Sequence, residues 1–283
     1  MSNNLNQVGT CEDGENCNKI SSSRCEKQKP VVMLLHGSLC TGAMWNRITA
    51  EIGEDFEYLT PDLIGYGKSH QWTRNRSLVI EDEVEALLPL IETRDTEFHL
   101  VGHSYGGVAA LELAHTKPQQ IHSLTLIEPV SVDILRAAGD TEAYDKISDV
   151  WDSVIMALGK DGAIPALQDF LSYWTGSAPY KELSGELASA PDHMALKILS
   201  DWRAAFGKTW PIQKLGDLKV PTFLLSGENS QLATQRICFH LAKQLPFADQ
   251  KMIRGAGHMF PLTHGSLTAR TLKYHFQRNM PAA

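Results

Sequence analysis

The sequence predicts an α/β fold: a mostly parallel sheet flanked by helices on both faces, interrupted once by a helical insertion. Three observations carry this reading. Short, continuously apolar runs such as VVMLLHG (Val31 to Gly37) have the pattern of strands buried on both faces of a parallel sheet. These runs alternate with stretches of helical spacing, and strand–helix alternation implies parallel strands joined by helical crossovers. Between Pro129 and Leu218 the strand signal stops and helical spacing takes over, which places an insertion there.

The elements are taken in chain order. Residues 1–29 are polar with few apolar anchors and read as a tail, or at most a weak hairpin. After the first strand, FEYLTPDL (Phe56 to Leu63) reads as a second. Ser77 to Thr93 reads as a helix with Ile80, Val84, Leu87, Leu88 and Ile91 on one face and Pro89 as a possible kink point. FHLVGH (Phe98 to His103) is a strand, YGGVAALELAHTKP a helix stopped by Pro118, and HSLTLIE (His122 to Glu128) another strand. The insertion carries Leu167, Phe170, Leu171 and Trp174, then Leu199, Trp202 and Phe206, and four of the six tryptophans. Laid over the open end of a sheet, it would bury a pocket and line it with aromatics. VPTFLLSG (Val220 to Gly227) resumes the sheet, followed by a helix from about Leu232 to Gln244, the strand-like DQKMIR and a C-terminal helix. The expected domains are a core of residues 30–128 and 218–283 and a helical cap of residues 129–217.

Composition narrows the function. The 283 residues are 43% hydrophobic and 21% charged with a net charge of −7, an ordinary globular balance. That acidity argues against nucleic acid or anionic lipid as the main partner, since both call for clustered Lys and Arg. No run approaches the roughly 18 apolar residues of a membrane span, and the first residues lack the apolar core of a signal peptide, so a cytoplasmic location is expected. Cys11, Cys17 and Cys25 lie in the polar leader, and Cys40 and Cys238 in the globular part. They form no zinc-ligand spacing and read as free thiols. GYGKS lacks the first glycine and spacing of a phosphate loop. No cofactor or metal is expected; the partner is a small-molecule substrate, and monomer and homodimer both stay open.

The chemistry centres on FHLVGHSYGGVAALELA (Phe98 to Ala114). Ser104 falls at a strand-to-helix turn with Gly-x-Ser-x-Gly spacing. Such a turn strains the backbone and leaves no room for side chains two residues either side. The following helix starts at Tyr105, so its first amides favour negative charge beside the serine.

With that motif the chain resembles the α/β-hydrolase superfamily. LLHGSLCTGAMW (Leu34 to Trp45) is similar to the family's His-Gly turn, PDLIGYGKS (Pro61 to Ser69) to its Pro-Asp-x-x-Gly-x-Gly-x-Ser stretch, and GAGHMFPLTH (Gly255 to His264) to the loop with the catalytic histidine. The resemblance covers roughly residues 31–128 and 218–278. It implies Ser104 as nucleophile, His258 as base, and an oxyanion hole from the backbone N–H groups of Ser38 and Tyr105. Chemistry points the same way: a serine hydroxyl needs a base within hydrogen-bond reach, and histidine titrates where one proton can be shuttled at neutral pH. Of the eleven histidines, His258 alone sits in a Gly-rich turn after the last strand. His103 reads as structural, with its side chain on the far side of the strand, His36 as turn-stabilising, and His264 as capping or starting the last helix.

The third member departs from the family's pattern. Relatives place an aspartate in the turn that here reads SGENSQLAT, where the expected position is Ser230. Glu128, ending HSLTLIE, is the preferred replacement; Glu228 is the alternative, and an acid-free arrangement with Ser230 the third option. Leu39, Phe170, Trp174, Trp202 and Met259 are the candidates for lining the pocket. The expected function is carboxylesterase-like hydrolysis of a small to medium apolar ester through an acyl-enzyme. The alternatives are a non-hydrolytic receptor, a thioesterase, a C–C bond hydrolase or an acyltransferase, among which fold does not choose.

Overall fold

The computed structural model describes residues 29–92, 94, 97–176, 189–210 and 212–280, so the N-terminal stretch read as a tail lies outside the described residues. Six strands, β1 (Val31–Leu35), β2 (Glu57–Leu59), β3 (Phe98–His103), β4 (Ile121–Ile127), β5 (Thr222–Gly227) and β6 (Ala248–Ile253), form one sheet in the order β2-β1-β3-β4-β5-β6. Every pairing is parallel. The apolar runs are buried on both faces because alternate residues serve different layers. Val32, Leu34, Val101, Ile127 and Leu225 pack with Trp45, with Ile48 of α1 (Asn46–Ile52) and with Leu272 and Phe276 of the C-terminal helix. Met33, Leu35, Leu100, Leu124 and Leu224 face the other layer, which includes α2 (Ile80–Ile91) and α3 (Tyr105–Thr116).

Two elements are shorter than their sequence patterns suggest. Strand β2 pairs over three residues and stops before Pro61, which has no N–H for a ladder. Helix α2 begins at Ile80, where Asp82 turns back to accept the Val79 N–H at 3.0 Å, and Pro89 sits within its last turn without ending it. Edge strand β6 exposes Asp249, Gln250 and Lys251, the polar dressing that keeps an edge from pairing with another chain.

Between β4 and β5 the chain makes α4 (Asp133–Ala137), α5 (Thr141–Lys160), α6 (Ala163–Thr175), α7 (Pro191–Gly207) and α8 (Ile212–Leu215). Trp151, Trp202 and Phe206 stack at their centre, with centroids 5.2 and 5.7 Å apart along the series. The remaining helices are α9 (Leu232–Gln244), α10 (Phe260–Thr263) and α11 (Gly265–Arg278). From β1 the chain runs outward to β2 and then returns across β1 to β3. The loops leaving β1 and β3 therefore part company, which opens a crevice at the carboxyl ends of the strands. Among the described residues no helix is long and apolar enough to cross a membrane.

Candidate active site

Ser104 joins β3 to α3 with φ 55° and ψ −119°. A Cβ at Gly102 would lie 2.3 Å from the Gly106 carbonyl oxygen, and one at Gly106 would lie 2.4 Å from that of His36. Both positions therefore exclude any side chain. Among the described residues, the non-glycine residues with positive φ are Leu39 (58°), Ser104 (55°) and Glu128 (44°). All three border the same site, where packing holds a backbone strain of order 1–3 kcal/mol each.

Three strand ends meet there. His258, in the loop after β6, places Nε2 3.0 Å from Ser104 Oγ and Nδ1 2.6 Å from Oε2 of Glu128, the residue after β4. Glu128 is fully buried, and its other oxygen accepts the Gly227 N–H at 2.6 Å. An ionised carboxylate only accepts, so Nδ1 carries the proton and the Nε2 lone pair faces Ser104; the tautomer follows from this network. Of the three groups considered for this position, only Glu128 reaches His258. The exposed Glu228 instead accepts the Gly255 N–H at 2.8 Å, bracing the loop that leads to His258. The Ser230 hydroxyl is buried and finds no hydrogen-bond partner among the described residues.

His103 is not turned away from the site as strand alternation suggests. The strand ends at this residue, and its ring lies under the His258 loop: Nε2 donates to the His258 carbonyl at 3.0 Å, and the two rings are 4.8 Å apart. Burial holds its pKa well below 6.5, so it stays neutral. His36 donates from Nδ1 to the Gly37 carbonyl at 2.8 Å and accepts the Leu63 N–H at Nε2, 2.9 Å away, tying the His-Gly turn to the PDLIGYGKS loop. Asp62 ties the same loop back by accepting from the Gly42 and Lys68 N–H groups, both at 2.8 Å. His264 is the N-cap residue of α11.

Among the described residues, the backbone N–H groups of Ser38 and Tyr105 donate to no other protein group. Tyr105 opens α3, where first-turn amides have no acceptor within the helix. Both residues therefore have a hydrogen bond to offer beside Ser104.

Above Ser104 lies a cavity of about 270 Å³. Ser38, Leu39 and Cys40 form one wall; Phe170, Leu171, Trp174 and Thr175 of α6 form the opposite wall; Met259, Leu262 and Thr263 complete the rim. Trp202, expected in the lining, stands one layer back, its ring 5.6 Å from Phe170 and 6.3 Å from Trp174, because α7 packs behind α6. Trp174 also meets His258, with ring centroids 4.2 Å apart. The sequence pattern does not single out Cys40, Leu171, Thr175, Leu262 or Thr263 as lining residues. Leu262 and Thr263 carry a signal, closeness to His258 in sequence, whereas Thr175 joins the wall only through the placement of α6. Burial pushes the Cys40 thiol up to about 11, which leaves it unreactive near neutral pH. Among the described residues no group of three or more His, Cys, Asp or Glu could hold a metal ion.

The chain is similar to several known proteins. A 102-residue segment is 34% identical to Lipase LipV of Mycobacterium tuberculosis, covering 35% of this chain and 36% of that protein, so the match spans about a third of its length. Monoacylglycerol lipase ABHD6 of Bos taurus is 24% identical over 264 residues, 86% of this chain and 74% of its own. The solved structure of the enol-lactonase from Burkholderia xenovorans LB400 superposes with a TM-score of 0.68 at 17% identity, over 88% of this chain and 92% of that one, a likeness of fold. Residues 32–271, which include every residue around the cavity, match the profile of one family, and the chain belongs to it: the alpha/beta hydrolase family.

Proposed function

We propose that this chain is a serine esterase that hydrolyses esters with small to medium apolar groups through an acyl-enzyme. The observation that carries the reading is the unbroken line Ser104 Oγ, His258, Glu128, with separations of 3.0 and 2.6 Å, at the floor of a mostly apolar cavity. Ser104 Oγ attacks the ester carbonyl carbon while its proton passes to His258 Nε2. The tetrahedral oxyanion is held by the Ser38 and Tyr105 N–H groups, and Glu128 faces the imidazolium that forms. His258 gives the proton to the departing alkoxide, and the alcohol leaves. A water then attacks the acyl carbon, giving its proton to Nε2, and collapse releases the carboxylic acid and returns the proton to Ser104.

The helices between β4 and β5 act as the cap, closing the cavity through Phe170, Leu171 and Trp174. At about 270 Å³ the cavity is roughly nine times the ~30 Å³ that a water occupies in the liquid, room for an acyl or alkoxy group of modest size. Among the described residues no Lys, Arg, Asp or Glu lines it, which suits uncharged groups and accords with the lipase names of the two curated relatives. The free thiols Cys40 and Cys238 suit a reducing, cytosolic setting.

The test is a fluorophosphonate probe with intact-mass and peptide analysis, alongside hydrolysis of p-nitrophenyl butyrate. One label at Ser104, and loss of both label and hydrolysis in Ser104→Ala, is the expected result. Labelling elsewhere, or turnover that survives Ser104→Ala, overturns the reading.

A further inference from the structure

Helix α7 carries a buried ion pair that none of the hydrolytic steps uses. Asp201 is fully buried, Lys197 one turn earlier is nearly so, and the two are hydrogen-bonded to each other. Asp201 Oδ2 also accepts two hydroxyls from the core: Ser38 Oγ at 2.6 Å and Tyr66 OH at 2.5 Å. On its other side Lys197 Nζ stands 3.9 Å from the buried Glu83, which accepts the Tyr105 OH at 3.1 Å and the Ile64 N–H at 3.0 Å. The ammonium lies over the Tyr66 and Tyr105 rings, 4.6 and 5.4 Å from their centroids. One cation and two carboxylates thus hold the side chains of both residues whose amides face the site.

Packing does not call for this arrangement. Apolar residues of similar volume often replace a buried ion pair with no loss of stability. What a carboxylate does, and a leucine cannot, is hold the Ser38 hydroxyl in one direction. Ser38 is the second residue of a tight turn in which Cys40 N–H donates to the Gly37 carbonyl at 3.2 Å and Leu39 holds a φ of 58°. In so short a turn, a fixed side chain limits how the neighbouring peptide planes rotate. We infer that Asp201, oriented by Lys197, is a positioning residue for Ser38: it aims the Ser38 amide, so the oxyanion hole is complete only while α7 is seated on the core. This rests on the esterase reading above.

Four variants test it, measured as kcat and KM on p-nitrophenyl butyrate with Ser104→Ala as control. Ser38→Ala keeps the amide and deletes the hydroxyl. Lys197→Met with Asp201→Leu removes the pair but keeps apolar bulk, and the third variant combines all three changes. Loss of a whole oxyanion-hole donor lowers kcat by about 10²–10³, and a misaimed donor should lose a part of that, on the order of 10-fold, with KM within about twofold. Ser38→Thr, which restores a hydroxyl, should recover at least about threefold over Ser38→Ala. The combined variant should be no worse than the poorer of its parents, because both remove the same interaction. Affinity for a trifluoromethyl ketone, which forms the oxyanion, should fall in step with kcat. A kcat for Ser38→Ala within twofold of wild type, or no recovery in Ser38→Thr, overturns the inference even if the ion-pair variant does not fold. Those results with an inactive Ser104→Ala refute the positioning role and leave the esterase reading standing; an active Ser104→Ala removes both.

Discussion

Replacing Glu128 by Gln keeps the shape of the side chain and removes one charge, and the groups around it dictate the consequence. Oε1 accepts the Gly227 N–H at 2.6 Å, so the amide oxygen of the variant must stay on that side; turned round, two donors would face each other in a fully buried place. The amide NH₂ then faces His258 Nδ1, where Glu128 Oε2 now stands 2.6 Å away. Two donors cannot share that contact, so His258 must move its proton to Nε2. It then offers Ser104 an N–H where the reaction needs a lone pair. The same inversion in a serine-protease triad lowers kcat by about 10⁴, so a loss of about 10³–10⁴ is expected here, or about 4–5 kcal/mol of transition-state stabilisation. KM should change by less than about threefold, and folding stability by about 1 kcal/mol or less, since the Gly227 bond survives. The assay is kcat on p-nitrophenyl butyrate, with urea unfolding as the folding control. Glu228→Gln, changed at an exposed side chain whose bond is to the Gly255 N–H, serves as comparison and should stay within about threefold. A folded Glu128→Gln variant within tenfold of wild type refutes the reasoning, as does a crippled Glu228→Gln beside an unharmed Glu128→Gln.

Three further outcomes are expected. Leu171 is half-buried on the α6 wall, so Leu171→Ala should shift preference toward longer p-nitrophenyl acyl chains at about 1 kcal/mol or less of stability; an unchanged chain-length profile contradicts the cap proposal. Gly106→Ala drives a Cβ to 2.4 Å from the His36 carbonyl oxygen and should lose about 3 kcal/mol or more in urea unfolding, while wild-type stability would show that the turn can yield. Burial pushes His99 down to about 3 and His275 down to about 4, so both stay neutral in the folded chain while the unfolded chain protonates near 6.5. Their folded pKa values being depressed, this stability is full above pH 6.5 and lost as pH falls toward 4, by about 3 kcal/mol for His275. His275→Phe, which can keep the stack on Phe223, should flatten the fall measured by urea midpoints between pH 7 and 4, and an unchanged slope counts against it.

Much of this molecule is legible along the chain because its determinants are local. The four inner strands β1, β3, β4 and β5 announce themselves as apolar runs, since a parallel strand covered on both faces has no polar side to show. Gly102 marks the Ser104 turn locally, since the Gly106 carbonyl oxygen lies 2.3 Å from where its side chain would begin; Gly106 shows in the same Gly-x-Ser-x-Gly spacing, although the group that excludes its side chain is the distant His36 carbonyl at 2.4 Å. His258 can be picked out by the loop it occupies. The shortening of β2 is also written locally, in Pro61.

Other features depend on residues far apart in sequence, and no local pattern carries them. Whether Glu128 or Glu228 approaches His258 turns on how the ends of β4 and β6 lie across β5, and the carboxylates alone look alike. Trp202 reads like Trp174, with the same helical spacing and apolar setting, yet α7 packs behind α6 and holds it one layer from the cavity. Lys197 and Asp201, four apart on a helix, have the spacing of an ordinary solvated surface pair. Only the seating of α7 against Ser38, Tyr66 and Glu83 buries them. The sequence by itself determined the layers, the strained serine turn and the histidine loop, because sterics and periodicity act between near neighbours. The tertiary structure decided which acid, which aromatic and which ion pair meet the site, because burial and electrostatic partnership are properties of surfaces that come together only when the chain has folded.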